Sequence, residues 1–212
     1  IIEAGGAFVN RRMHRLFVDT MFQRMTKGKS IKNLMYEGVF QLAKVATVLA
    51  NDFEDSEFTS PKEALEEAGH EVVTISFQAG DVVKGKKEGT EVTIDYGIDD
   101  VTAADFDALL IPGGYSPDIL RGDDRFVAFA KHYMDDMKPV FTICHGPQLL
   151  INTETLKGRD ITGVKPIVID LKNAGAKFHD VEVFVCQNQL VSSRTPADLP
   201  AFNREIVKLL AK

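Results

Sequence analysis

A chain of 212 residues with 44% hydrophobic and 26% charged content can bury one full core and is too apolar to stay disordered. Its 25 basic and 31 acidic residues, a formal net charge of −6, exclude the basic field that stable nucleic-acid or acidic-lipid binding requires. Two cysteines cannot build a disulfide framework, and no apolar run reaches the roughly 20 residues that span a bilayer. The expectation is a cytoplasmic protein without a membrane span, acting on small molecules or proteins.

Composition shifts near residue 43. Before it, over Asn10 to Lys32, Arg11, Arg12, Arg15, Arg24, Lys27, Lys29 and Lys32 face a single acid, Asp19, while Met13, Leu16, Phe17, Met21 and Met25 recur at helical intervals. Residues 1–42 therefore read as a basic amphipathic extension: a targeting presequence, a partner-binding arm, or sequence carried in upstream of the true start, since the chain begins at Ile1 and not at Met. A non-catalytic appendage is the favoured reading.

From residue 43 to 212, strand and helix patterns alternate as in a parallel sheet covered on both faces. Val45 to Ala50 predicts a buried strand. Ser60-Pro61 predicts the start of a helix that stops at Gly69, with proline at its first position. Glu71 to Phe77 is a second strand; Val82 to Lys84 and Glu91 to Ile94, around the Gly85 to Gly89 turn, form a small hairpin. Asp107 to Ile111 is a strand ending at Pro112-Gly113-Gly114. A helix over Asp123 to Met137 leads to the strand Pro139 to Ile143, and another helix begins at or just after Cys144. A helix near Pro166 to Ala174, strands around Val181 to Val185 and Gln189 to Ser193, and a closing helix from Pro196, capped by Thr195, complete the domain.

Ligands of open α/β sheets gather beyond the carboxyl ends of the strands. Three such ends are chemically loaded: Asn51 to Asp55, Pro112-Gly113-Gly114, and Cys144-His145-Gly146-Pro147. A strand running into Cys144 and then a helix is a nucleophile elbow, which lifts the side chain out of the sheet. A helix N-terminus at the sulfur would favour the thiolate. A cysteine after an apolar run is more often an inert core residue; the His-Gly-Pro that follows turns the reading toward a nucleophile. The backbone N–H groups of Gly114 and His145 are candidates to hold an oxyanion. Glu54, if its loop folds over the elbow, is the candidate carboxyl that donates a proton to the sulfur. Cys186, inside an apolar strand, reads as structural. His14, His70, His132 and His179 show no ligand spacing, so no metal and no cofactor are expected.

The segments Asn51 to Asp55, Pro112-Gly113-Gly114, Ile143-Cys144-His145-Gly146-Pro147-Gln148, Asn173-Ala174-Gly175-Ala176 and Ser193 to Leu199 resemble, in order and spacing, the PfpI group. That group comprises an archaeal intracellular protease, bacterial general stress proteins and protein/nucleic acid deglycases. The resemblance covers about residues 43 to 210. It implies a flavodoxin-like three-layer α/β/α sandwich with a mostly parallel sheet, related to class I glutamine amidotransferase domains. It also implies Cys144 as nucleophile and Glu54 as its carboxyl partner. In the family's protease the histidine matching His145 is oriented by a neighbouring subunit's glutamate. Asp118 stands at that position here, a carboxylate shorter by one methylene. A homodimer or homohexamer with Asp118 contributed across an interface follows as an implication.

Three functions fit such a thiol: hydrolytic chemistry on methylglyoxal, glyoxal and their early adducts on proteins, nucleotides or thiols; peptide hydrolysis; and redox-sensing chaperone action without catalysis. The first leads, because an accessible thiolate handles a small electrophile without an extended groove.

Overall fold

A computed structural model describes residues 42–211 of the chain. The extension expected over residues 1–42 therefore lies, but for Leu42, outside the described residues.

Strands β1 (Lys44–Val48), β2 (Glu71–Ser76), β5 (Tyr96–Gly97), β6 (Ala108–Ile111), β7 (Val140–Ile143), β10 (Val183–Cys186) and β11 (Leu190–Ser193) form a seven-stranded sheet. Its order is β10-β11-β7-β6-β1-β2-β5. Every neighbouring pair is parallel except β10 with β11, which form an antiparallel hairpin at one edge. The hairpin strands β3 (Val82–Lys84) and β4 (Glu91–Thr93) form a separate two-stranded sheet, as do β8 (Asp160–Ile161) and β9 (Lys177–Phe178). The mostly parallel sandwich expected from the alternating pattern is the fold observed.

Buried strands project successive side chains to opposite faces, and the core divides accordingly. Ala46, Val48, Leu109 and Ile111 pack on one face with Phe126, Tyr133, Leu149 and Leu171. These last come from α3 (Asp124–Asp135), α4 (Pro147–Asn152) and α5 (Val168–Asn173). Val45, Ala108, Leu110, Phe141 and Ile143 pack on the other face with Leu65, Phe202 and Ile206. These belong to α1 (Asp55–Glu67) and α6 (Leu199–Leu210). Strands covered on both sides read as continuous apolar runs, which is why β1, β6 and β7 were visible without alternation.

Besides the two-residue strands β5, β8 and β9, two helices depart from the sequence reading. The helix expected to open at Ser60-Pro61 begins at Asp55 and carries Pro61 inside it. Asp55 and Glu57 occupy its first turn, where negative charge is favoured by the helix dipole. The short helix α2 (Ser116–Leu120) follows Gly114 directly; five residues are too few to leave a periodic signal. Its Ser116 hydroxyl, fully buried, accepts the Ala50 N–H at 2.8 Å and so ties α2 to the end of β1.

Phe141 is fully buried at the centre of the second face. Phe141→Ala is expected to lower unfolding stability by about 3–5 kcal/mol, measured as a fall in denaturant midpoint at unchanged slope.

Candidate active site

The chain turns sharply at Cys144, whose φ is +60°. A side chain other than glycine pays about 1–3 kcal/mol for such a conformation, so it persists only when its surroundings hold it. They do so through both backbone groups. The Cys144 N–H donates to Ser193 O at 3.1 Å, and the Cys144 carbonyl accepts the Val164 N–H at 3.1 Å. The Gly146 N–H closes the turn on Ile143 O at 2.8 Å. This is the strained elbow expected after β7. The helix behind it, α4, starts just after the cysteine, at Pro147, and has six residues, so its dipole is a weaker aid to the thiolate than that of a long helix.

The carboxyl beside the sulfur is that of Glu57. The expectation had placed Glu54 there; Glu54 is the residue that precedes α1, and no side-chain cap hydrogen bond joins it to the helix. Glu57 lies one turn further on and is fully buried. Its Oε2 accepts the Gly113 N–H at 2.9 Å. Its Oε1 has no hydrogen-bond partner among the described residues, and the carboxyl interacts electrostatically with the Cys144 side chain. The correction follows from the helix start. With residues 51–57 read as a loop, Glu57 has no assigned direction; with the helix beginning at Asp55, it points from the first turn toward the neighbouring strand end.

Gly113 is what allows the approach. A methyl group there would lie 2.8 Å from Cys144 Cβ and 3.0 Å from the His145 nitrogen, and would overlap Glu57 Oε2. Glu54 N–H to Gly113 O at 3.1 Å and Tyr115 N–H to Asp52 O at 2.8 Å fasten this turn to the segment leading into α1.

Burial pushes the Glu57 carboxyl up from its ordinary value of 4.5 to about 8. Burial also pushes the Cys144 thiol up, followed by the charge of an ionised Glu57, while the backbone N–H groups of His145 and Gly114 pull it down. The push from Glu57 exists only while that carboxyl is ionised. At neutral pH the carboxyl keeps its proton and offers the sulfur an O–H donor in place of a charge. Burial therefore disfavours the thiolate on balance, and the two backbone N–H groups that face the sulfur offset part of that cost. Both N–H groups proposed for an oxyanion face the sulfur.

His145 Nδ1 lies 3.3 Å from Cys144 Sγ. Burial lowers the imidazole pKa, with the Lys86 ammonium acting in the same direction and Asp118 opposing both. A neutral imidazole at that distance can accept the thiol proton. Asp118 sits on α2 with its side chain 64% exposed, 3.9 Å from an Arg121 nitrogen. It lies within electrostatic reach of His145 but, among the described residues, forms no hydrogen bond with it.

The remaining expectations find simple places. Cys186 is a free, buried thiol in β10. His70 is buried, its Nδ1 accepting the Ala43 N–H at 3.1 Å. His179 pairs with Asp160 at 2.7 Å and stacks on Phe184. Among the described residues no group of His, Cys, Asp and Glu could hold a metal ion. A concavity of about 200 Å³, lined by residues including Asn51, Phe77, Val82 and Ile119, lies near the site without including Cys144.

A parallel sheet that delivers a sulfur to the ligand-binding end of a central strand is the arrangement of α/β proteins with a cysteine nucleophile. The chain belongs to the DJ-1/PfpI family, whose pattern matches residues 43–209. It is 62% identical over 167 residues to protein/nucleic acid deglycase 2 of Escherichia coli (strain K12), covering 79% of this chain and 97% of that protein. It is 61% identical over 169 residues to general stress protein 18 of Bacillus subtilis, covering 80% and 98%. Among solved structures, a two-domain protein of Anabaena variabilis containing DJ-1/ThiJ/PfpI-like and ferritin-like domains superposes with a TM-score of 0.76 at 37% identity. That match covers 79% of this chain and 49% of the other.

The geometry separates the two glutamates experimentally. Glu57→Gln is expected to lower turnover at Cys144 by about 10²-fold, and Glu54→Gln to leave it nearly unchanged. Stability carries a second signature. Folded Glu57 holds a proton that the unfolded chain releases near 4.5, so its contribution falls as pH rises from about 4.5 to about 8 and is constant above. Denaturation of wild type against Glu57→Gln should show the difference shrinking across that window by on the order of 5 kcal/mol.

Proposed function

We propose that the protein is a cysteine-dependent hydrolase of methylglyoxal, glyoxal and their early adducts on proteins, nucleotides or thiols. The observation that carries this reading is the Cys144 sulfur on its positive-φ elbow, with a protonated Glu57, a neutral His145 and two backbone N–H groups around it. The similarity to a bacterial protein/nucleic acid deglycase supports the substrate class.

His145 takes the thiol proton, and the sulfur adds to the aldehyde carbon. The developing oxyanion is held by the Gly114 and His145 N–H groups. For free methylglyoxal, the proton on the attacked carbon then moves to the adjacent carbonyl carbon, giving the Cys144 thioester of lactate. Water cleaves the thioester to lactate and restores the thiol, an internal redox change that needs no external oxidant or cofactor. For an early amine or thiol adduct, whose carbinol carbon is already tetrahedral, the bond from that carbon to the amine or thiol breaks as the bond to the Cys144 sulfur forms; the leaving group takes the thiol proton, and the same Cys144 hemithioacetal results.

The same proposal includes a homodimer or homohexamer in which Asp118 reaches the site of a neighbouring copy. Exposed Ile119 beside Asp118 gives α2 an apolar surface suited to such a contact. Residues 1–42 are an appendage outside the catalytic domain 43–212; the curated relatives are matched over nearly their full length by the remainder of the chain. A cytoplasmic location belongs to this reading and is supported by two cysteines left free and by the absence, among the described residues, of a helix long and apolar enough to cross a membrane.

The test is a product assay with methylglyoxal, free and as a protein adduct. Wild type should form lactate, and Cys144→Ser at equal folded fraction should lose at least about 10³-fold in rate. Equal turnover in both, or cleavage of unstructured peptides with no lactate formed, would contradict the proposal.

A further inference from the structure

The turn after β3 brings a lysine to the rim of this site, and its placement is fixed by the same helix turn that supplies Glu57. Gly85 pairs with Phe53, and on its other side Phe53 pairs with Gly114. The Lys86 N–H donates to Phe53 O at 2.8 Å. One residue's backbone therefore separates Lys86 from the glycine whose N–H faces the sulfur.

Asp55 holds the turn rigid. Its carboxylate accepts the N–H groups of Lys87 at 3.0 Å, Glu88 at 3.1 Å and Thr90 at 2.9 Å. Burial opposes ionisation of Asp55, but the Thr90 hydroxyl and these three N–H groups outweigh it and hold the carboxyl well below the usual range. The loop packs so closely that any side chain at Gly85 would collide with the Asp55 carboxylate.

Among the described residues, no structural ion pair consumes the lysine on this turn. Lys84, two residues earlier, meets Glu91 at 2.8 Å. Among the described residues Lys86 has no carboxylate within 4.0 Å; its ammonium lies 4.6 Å from the centroid of the Tyr115 ring. Tyr115 follows Gly114 in the chain and is 58% exposed. The Lys86 charge is felt at both Glu57 and His145, so it reaches the volume where a substrate meets the sulfur.

We propose that Lys86, seated on Tyr115, forms an anion subsite at the mouth of the Cys144 site and selects carbonyl adducts carried on a phosphate or carboxylate over neutral ones. This deepens, and for its substrates rests on, the reading of Cys144 as a nucleophile toward carbonyl adducts. Neutral methylglyoxal offers an ammonium carbonyl oxygens but no negative charge; a nucleotide adduct offers phosphate, and a thiol or amino-acid adduct offers carboxylate. A cation seated on an aromatic face and carried on a turn of fixed backbone can recognise either.

The test compares iodoacetate with iodoacetamide, two alkylating reagents of similar size that differ by one negative charge. Inactivation rates are measured with each on wild type, Lys86→Met and Lys86→Arg, with peptide mapping to confirm that Cys144 and not Cys186 is modified. Lys86→Met should lower the iodoacetate-to-iodoacetamide rate ratio by about three- to tenfold, and Lys86→Arg should restore it. A ratio unchanged in Lys86→Met, or one lowered equally in Lys86→Arg, overturns the subsite. Turnover of methylglyoxal adducts of guanosine 5′-phosphate against guanosine, and of N-acetylcysteine against its amide, then identifies the anion. The arm whose selectivity falls in Lys86→Met names phosphate or carboxylate, and selectivity that falls in neither rejects the substrate assignment. If wild type turns over none of these adducts while the alkylation ratio still falls, the hydrolase reading fails and the subsite stands.

Discussion

The Cys144 thiol and the Glu57 carboxyl are buried against each other, and two adjacent negative charges in that space would be opposed both by lost hydration and by mutual repulsion. The pair can carry one charge at neutral pH but not two, so one proton must be kept between them. The rest of the local structure serves this constraint. Gly113 has no side chain because one would stand where carboxyl and sulfur meet. The positive φ of Cys144 turns the sulfur toward the carboxyl, and hydrogen bonds from two separate segments, at Ser193 and Val164, hold that turn.

Charge is then graded outward from the sulfur. Innermost is a carboxyl that keeps its proton, next a half-buried imidazole held neutral, and at the rim a lysine and an exposed aspartate acting on that imidazole in opposite senses. A neutral interior suits a nucleophile that must shed a proton and regain it. A charged rim sorts what arrives there. Asp55 and Glu57, two residues apart in one helix turn, show how sharply environment decides a carboxyl's role. Asp55 is surrounded by N–H donors and stays ionised to fix a loop; Glu57 has a single N–H donor and stays protonated to serve the sulfur.

The layered fold was legible in the sequence because its strands are buried on both faces: runs such as Ala108 to Ile111 and Val140 to Ile143 have no other use. The elbow was legible for the same reason, since an apolar run that ends in Cys-His-Gly-Pro changes chemistry abruptly. Glu57 was not, because Pro61 marks a helix start by its usual rule while the true first turn lies six residues earlier. An acidic pair at Asp55 and Glu57, suited to an N-terminal turn, was the available signal. The places of Lys86 and Tyr115 could not be read at all: they meet through backbone pairing of Phe53 with two distant glycines, and neither periodicity nor spacing encodes that contact.

The central claim is that Glu57 retains its proton beside the sulfur at neutral pH, and the most direct measurement is a carbon NMR titration of the protein labelled at glutamate side-chain carboxyls. One resonance, assigned by its absence in Glu57→Gln, should titrate with a midpoint near 8, well above ordinary glutamates. A Glu57 resonance that titrates among the other glutamates would show an ionised carboxylate against the thiol at neutral pH and contradict the account.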